Sequence, residues 1–162
     1  MNSKALHILE YDKIIERLTS YATSEPGKEL CRNLVPTDDT EAIGRLLSDT
    51  TAASSRIFAK GSLSFSGLKD IRMYVKSLEV GSVLGIRELL DIAVLLHITA
   101  KALTYNGETA DLLTERFEAL NPVKELHSEI TRCIISEDEI SDDASSTLKD
   151  IRRSKRNANE RI

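Results

Sequence analysis

The chain has 162 residues, 41% of them apolar and 30% charged, with 4% aromatic and no tryptophan. That length fits one domain, or one domain with an arm, and the Leu, Ile and Ala content favours helices packed by aliphatic side chains over a β-sandwich. The net charge of −4 is unevenly placed: residues 1–148 hold 16 basic and 24 acidic groups, residues 149–162 six and two, so the body makes a poor main phosphate-binding surface and only the tail has the cations for one.

From the N-terminus, "ALHILEYDKIIERLTSYA" sets Leu6, Leu9, Ile14, Ile15 and Leu18 near helical spacing and predicts an amphipathic helix with a break near Tyr11. "TSEPGKELCRNL" restarts it, with Ser24 as cap, Pro26 in the first turn, and Leu30, Cys31 and Leu34 on one buried face. After Pro36, Asp38 or Asp39 caps a long helix that Gly61 closes. A short helix is expected at about 68–78, between the loops "GSLSFSG" and "EVGSVLG". "IRELLDIAVLLHITAKALTY" is apolar almost all round and should be the most buried helix. Two shorter helices, "TADLLTERFEAL" and "VKELHSEITRCI", are hinged at Asn121–Pro122.

Five carboxylates crowd between Glu137 and Asp143. "CIISEDEIS" flanks Glu137–Asp138 with short apolar pairs, the pattern of a tight turn in a miniature hairpin. "DDASS" then supplies caps, and carboxylates beside a helix N-terminus are favoured by its dipole. A calcium loop would need oxygen ligands at alternating positions, a turn glycine and a distant Glu, a frame the sequence lacks. The closing "STLKDIRRSKRNANERI" reads as helix, with Leu148, Ile151, Lys155, Ala158 and Ile162 in a 3-4-3-4 seam suited to pairing with one partner helix. No Gly, Pro or polar stop follows, so the helix is expected to continue past Ile162 in a longer protein.

Catalytic chemistry has no clear seat. "SEPGKEL" fails as a phosphate loop, because Ala22 and Glu29 stand where the motif needs a glycine and a hydroxyl. His7, His97 and His127 are scattered, and His97, within the most apolar helix, reads as a histidine satisfied in a core or groove. Cys31 reads as a small core thiol. With only Cys31 and Cys133, no disulfide framework is expected and a reducing cytoplasm is the default compartment. No signal peptide or membrane-length apolar run is present in the sequence.

Several segments together resemble one family. "LEYDKIIERLTSYA", "SEPGKEL", "LVP", "TTAASSRIFAKGSLSFSGLKDIR", "LGIRELLDIAVLL" and "RCIISEDEISDDASSTLKDIRR" follow one another as in the opening of bacterial MutS-two proteins, a branch of the MutS-type ATPases. The last segment resembles the family's hairpin before a long lever helix, with Glu139 where a turn glycine is common. The resemblance covers essentially the whole chain. It implies a mainly α fold: a multi-helix core domain over 1–143 with a small β-hairpin, leading into a projecting lever or coiled-coil helix that begins at 144–162. It further implies a full-length homodimer that binds ATP and Mg, carries a C-terminal Smr endonuclease domain, and acts on branched DNA, on stalled or collided ribosomes, or on both. The ATPase and nuclease motifs have no counterpart in these residues, so no catalytic, cofactor or metal residue is carried over. Asp142, Asp143, Ala144 and Ser145 map onto the hairpin-and-cap pattern in a structural role. Lys149, Arg152, Arg153, Lys155 and Arg156 are the candidate nucleic-acid contacts, a solvated helix face being the other reading of such a charge run. A Walker A motif a few hundred residues downstream in the full reading frame would settle this reading, and a stop codon after Ile162 would remove it. The competing readings are a stand-alone helical adaptor that binds a partner protein through its exposed helix, and a small enzyme using His97 or a carboxylate pair.

Overall fold

The computed structural model describes residues 3–159. The protein is mainly α, with one small antiparallel hairpin among the described residues. Helices α1 (Ser3–Ile8) and α2 (Tyr11–Tyr21) are separated where expected, because Glu10 takes a left-handed conformation (φ 55°) that a continuous helix cannot hold. Ser24 caps α3 (Glu25–Arg32) by accepting from the Gly27 amide at 3.2 Å. Asp39 caps α4 (Thr40–Lys60) by accepting from the Glu41 and Ala42 amides, both at 3.0 Å. Gly61 ends α4 at φ 79°, a value that side chains with a Cβ rarely adopt.

Helix α5 (Arg72–Glu79) starts four residues later than the sequence predicts, since a turn at Phe65–Leu68 with Gly67 at φ 81° occupies the space before it. Helix α6 (Ile86–Asn106) matches its expected span. The predicted helix around 109–120 shrinks to α7 (Thr114–Glu118), because Thr109, Asp111 and Thr114 commit their polar groups to a folded loop. Helix α8 (Lys124–Cys133) leads into strands β1 (Ile134–Ser136) and β2 (Glu139–Ile140), then a 3₁₀ turn at Asp142–Ala144 and helix α9 (Ser146–Asn159). Ile162, the last position of the expected seam, lies outside the described residues, as does any continuation of the helix.

The chain divides into two compact units. One comprises the residues up to Asp70 together with Ile98–Asn121. Its organising contact is Arg56 of α4, whose side chain is only 3% exposed. The guanidinium meets Asp111 through two parallel bonds of 2.6 Å, reaches Asn106 Oδ1 at 2.7 Å and the Thr114 hydroxyl at 3.2 Å, and lies 4.6 Å from the Phe117 ring centroid. A buried cation is tolerated only when its donors are answered in this way. One turn further along α4, Lys60 donates to the carbonyls of Tyr105 (3.2 Å) and Asn106 (3.1 Å) and to the Thr109 hydroxyl, satisfying acceptors at the end of α6 that the helix itself leaves open.

The expected burial of the α3 face does not occur. Leu30 is 75% exposed, Leu34 is also exposed and Cys31 is half-buried, so the thiol sits at a surface edge. With eight residues and packing against α2, α3 has room to hide little of its apolar face.

The second unit comprises Ile71–His97 and the residues from Pro122 onward. Ile92, Ala93 and Leu96 of α6 form its core with Ile130 of α8 and Ile134 of β1, ringed by Ile71, Tyr74, Leu84, Ile86, Leu89, Leu90 and Cys133. Leu89, Ile92, Ala93 and Leu96 follow the spacing of one helical face. Tyr74 ties α5 to α6 by donating to Asp91 at 2.9 Å. Helix α6 is the most buried helix, as its composition predicts, but it keeps a solvent stripe of Val94, His97, Lys101 and Thr104 at 3-4-3 spacing. His97 is therefore exposed rather than enclosed.

Leu96→Ala should cost about 2–4 kcal/mol by leaving a void in this core, whereas Val94→Ala on the exposed stripe should stay within about 0.5 kcal/mol; urea unfolding of the two variants checks the contrast. In the first unit, the Arg56 guanidinium holds the Asp111 carboxyl down from its ordinary 3.8 to about 2. A depressed carboxyl contributes stability that is complete above the unfolded value and fades as pH falls through the folded one. Asp111→Asn should thus remove a component of acid sensitivity between about pH 4 and pH 2, seen as a shallower decline of melting temperature across that window than in the parent protein.

Candidate nucleic-acid interface at the hairpin–helix junction

The acidic cluster is consumed by local structure. Glu137 and Asp138 form the two-residue turn between β1 and β2. Two-residue hairpin loops favour mirror-type turns with positive φ, yet neither residue is among the positive-φ positions. The ladder absorbs the mismatch by a register shift: Ser136 pairs with Glu139 and Ile134 with Ile140, leaving Ile135 as an unopposed bulge residue. Glu139, expected at a glycine-favouring turn position, lies on β2 instead. Glu137 meets Arg87 of α6 at 3.0 Å in an exposed ion pair beside the turn.

Beyond β2, Ser141 caps the 3₁₀ turn by accepting from the Asp143 amide at 3.1 Å, and Ser145 caps α9 by accepting from the Leu148 amide at 3.1 Å. Asp142 and Asp143 form the 3₁₀ turn with Ala144, so all four expected structural positions sit between hairpin and helix. Arg132 of α8 donates to the Asp143 carbonyl while pairing with Glu129, and so ties the turn to α8.

The five candidate phosphate contacts separate into two groups. Arg152 bridges Asp142 at 2.6 Å and the Ile140 carbonyl at 2.8 Å. Arg156 reaches the second oxygen of Asp142 at 3.5 Å, and Lys149 pairs with Asp143 at 3.0 Å. These three cations lie at i, i+3 and i+7, on one face of α9. The Arg152 hydrogen bond draws the Asp142 carboxyl below the usual carboxylate range, and the bond to Asp143 raises the Lys149 ammonium. Arg153 and Lys155 are exposed and have no ion-pair partner among the described residues. Asp150 is the single acidic residue within the helix.

His97 and His127, which the sequence leaves thirty positions apart, stack with ring centroids 5.9 Å apart and planes 19° from parallel. Nothing in their spacing signals this, since it follows from α6 and α8 sharing the second unit's core. Among the described residues no group of three His, Cys, Asp or Glu side chains is placed to hold a metal ion, and no helix is long and apolar enough to cross a membrane.

No family model matches the chain. Curated relatives do. Over its whole length the chain is 47% identical to an endonuclease MutS2 of Lachnoclostridium phytofermentans, 48% to one of Lachnospira eligens and 39% to one of Agathobacter rectalis. The chain belongs to the MutS-two family. It spans about a fifth of the length of these relatives, 21–22% in each case. In this MutS-two chain the hairpin, the capped turn and the basic helix form one continuous ion-paired junction.

The Ser145 cap should be measurable by itself. Ser145→Ala should cost the start of α9 about 1 kcal/mol, read as faster hydrogen exchange at the Leu148 and Lys149 amides with the second unit's core amides unchanged.

Proposed function

We propose that this chain is the N-terminal core and lever segment of a MutS-two protein, and that it transmits movement without carrying an active site of its own. In this reading residues 1–143 are the body, and residues 144–162 begin a long lever helix whose backbone moves as a unit. The parent protein is a homodimeric, ATP- and Mg-dependent nucleic-acid-handling enzyme with nuclease activity on a separate domain, and acts in the cytoplasm on branched DNA, ribosomes or both. The observation that carries the reading is the end-to-end match to proteins called endonuclease MutS2, each about five times longer than this chain. The Ser145 cap of α9 and the Arg152 bond to the Ile140 carbonyl support the mechanical part, because a lever needs a root whose orientation is fixed by more than a flexible loop.

A stand-alone adaptor is the second reading, favoured by Ile151, which is 60% exposed on α9. The two separate in the full-length protein. If α9 contacts phosphate, Arg153→Gln combined with Lys155→Gln should weaken duplex binding and flatten the dependence of log affinity on log salt by about 2. Unchanged nucleic-acid affinity, together with salt-insensitive capture of a protein partner that Ile151→Glu abolishes, would favour the adaptor.

A further inference from the structure

The cations of α9 are not equally available. Arg153 and Lys155 face solvent, while Lys149, Arg152 and Arg156 are held by two carboxylates only a few residues upstream. Those carboxylates belong to the 3₁₀ turn that roots the helix, so the ion pairs join an electrostatic function to a geometric one. We infer that the junction is a self-neutralised phosphodiester-binding face, in which Asp142 and Asp143 occupy the cations that a nucleic-acid backbone would otherwise take. The backbone meets Arg153 and Lys155 first and then displaces the carboxylates from Arg152, Arg156 and Lys149, which loosens the root of α9.

Three features on this face argue for exchange rather than a permanent tie. The pairs are solvent-accessible: the Arg152 and Asp142 side chains are 37% and 35% exposed, and the Lys149 and Asp143 side chains 60% and 66%. Exposed ion pairs are weak and screened by salt, so a polyanion can compete for them. Asp142 is shared between two arginines, one at 2.6 Å and the other at only 3.5 Å, so Arg156 is the looser partner and the natural point of entry. Arg152 also keeps its bond to the Ile140 carbonyl, so losing Asp142 frees charge without removing every tie between helix and hairpin. The partner is fixed by complementarity: five cations against one carboxylate along fourteen residues of helix suit a repeating phosphate backbone better than a single anion. DNA and RNA offer the same chemistry here, and the two are separated by the probe.

This inference rests on the reading that α9 touches nucleic acid, and the experiment keeps the two apart. Affinity for a 30-base-pair DNA duplex and the matching RNA duplex is measured at low salt for Asp142→Asn, with Asp138→Asn as control. Asp138 lies in the turn, carries the same charge and holds none of these cations. Asp142→Asn should raise affinity at least threefold beyond Asp138→Asn. Arg156→Gln should cost little alone but at least threefold more in the Asp142→Asn background, where Arg156 is released. Equal gains from the two Asn variants, or an equal cost of Arg156→Gln in both backgrounds, would overturn the inference. If that happens while Arg153→Gln with Lys155→Gln still weakens binding, the helix binds phosphate and only the self-neutralisation is wrong. If no variant changes binding, the nucleic-acid reading fails and takes the inference with it. Should Asp142→Asn lose the fold by circular dichroism, Asp143→Asn with Lys149→Gln carries the same comparison.

Discussion

Apolar burial is scarce in this protein, and α6 supplies most of it. Among the described residues nine are buried, and Ile92, Ala93, Leu96, Ile98, Ala102 and Asn106 of α6 are six of them. No large side chain among the described residues is withdrawn from water completely. Each unit is thus built around a stretch of one aliphatic helix, and the elements beside it bury too little to be held by the hydrophobic effect alone. Directional polar ties do the remaining positioning. In the first unit Arg56 and Lys60 fasten the end of α6 and the loop after it. In the second, Tyr74 ties α5 to α6 and Arg132 binds the 3₁₀ turn, while Arg87 meets the hairpin turn through an exposed and weaker pair.

The two principal ion networks have opposite characters because water treats them differently. Arg56 has left solvent, its donors are matched in fixed geometry, and its pairing with Asp111 is structural. The cluster on Asp142 and Asp143 is wet, shared and partly long, so each bond is individually weak. Enclosed charge thus lies in one unit and solvent-exposed charge in the other.

Most of the architecture is legible in the sequence because it rests on local chemistry. Ser24, Asp39 and Gly61 act as caps where their residue types predict, and the hairpin and its following caps fall where the apolar pairs and the Asp-Ser run place them. What the sequence conceals is tertiary. Arg56 looks like any helical arginine, and only the loop that folds over it shows that Asp111 is spent on a cation and α7 is shortened as a result. The stacking of His97 on His127 and the solvent stripe on α6 have the same origin: which side of a nearly all-apolar helix faces out is decided by its neighbours. On α9 the count of basic residues is readable, but their division into paired and free groups depends on a turn that brings Asp142 and Asp143 back against the helix.

The bulge at Ile135 has a consequence of its own. A two-stranded ladder has two open edges, and an open edge can recruit a strand from another molecule. Here one residue in three of β1 is out of register, and the turn presents Glu137 and Asp138 beside Glu139. A bulged β1, a two-residue β2 and the carboxylates at the turn make this ladder a poor template for a further strand, a device by which small sheets limit edge-to-edge pairing.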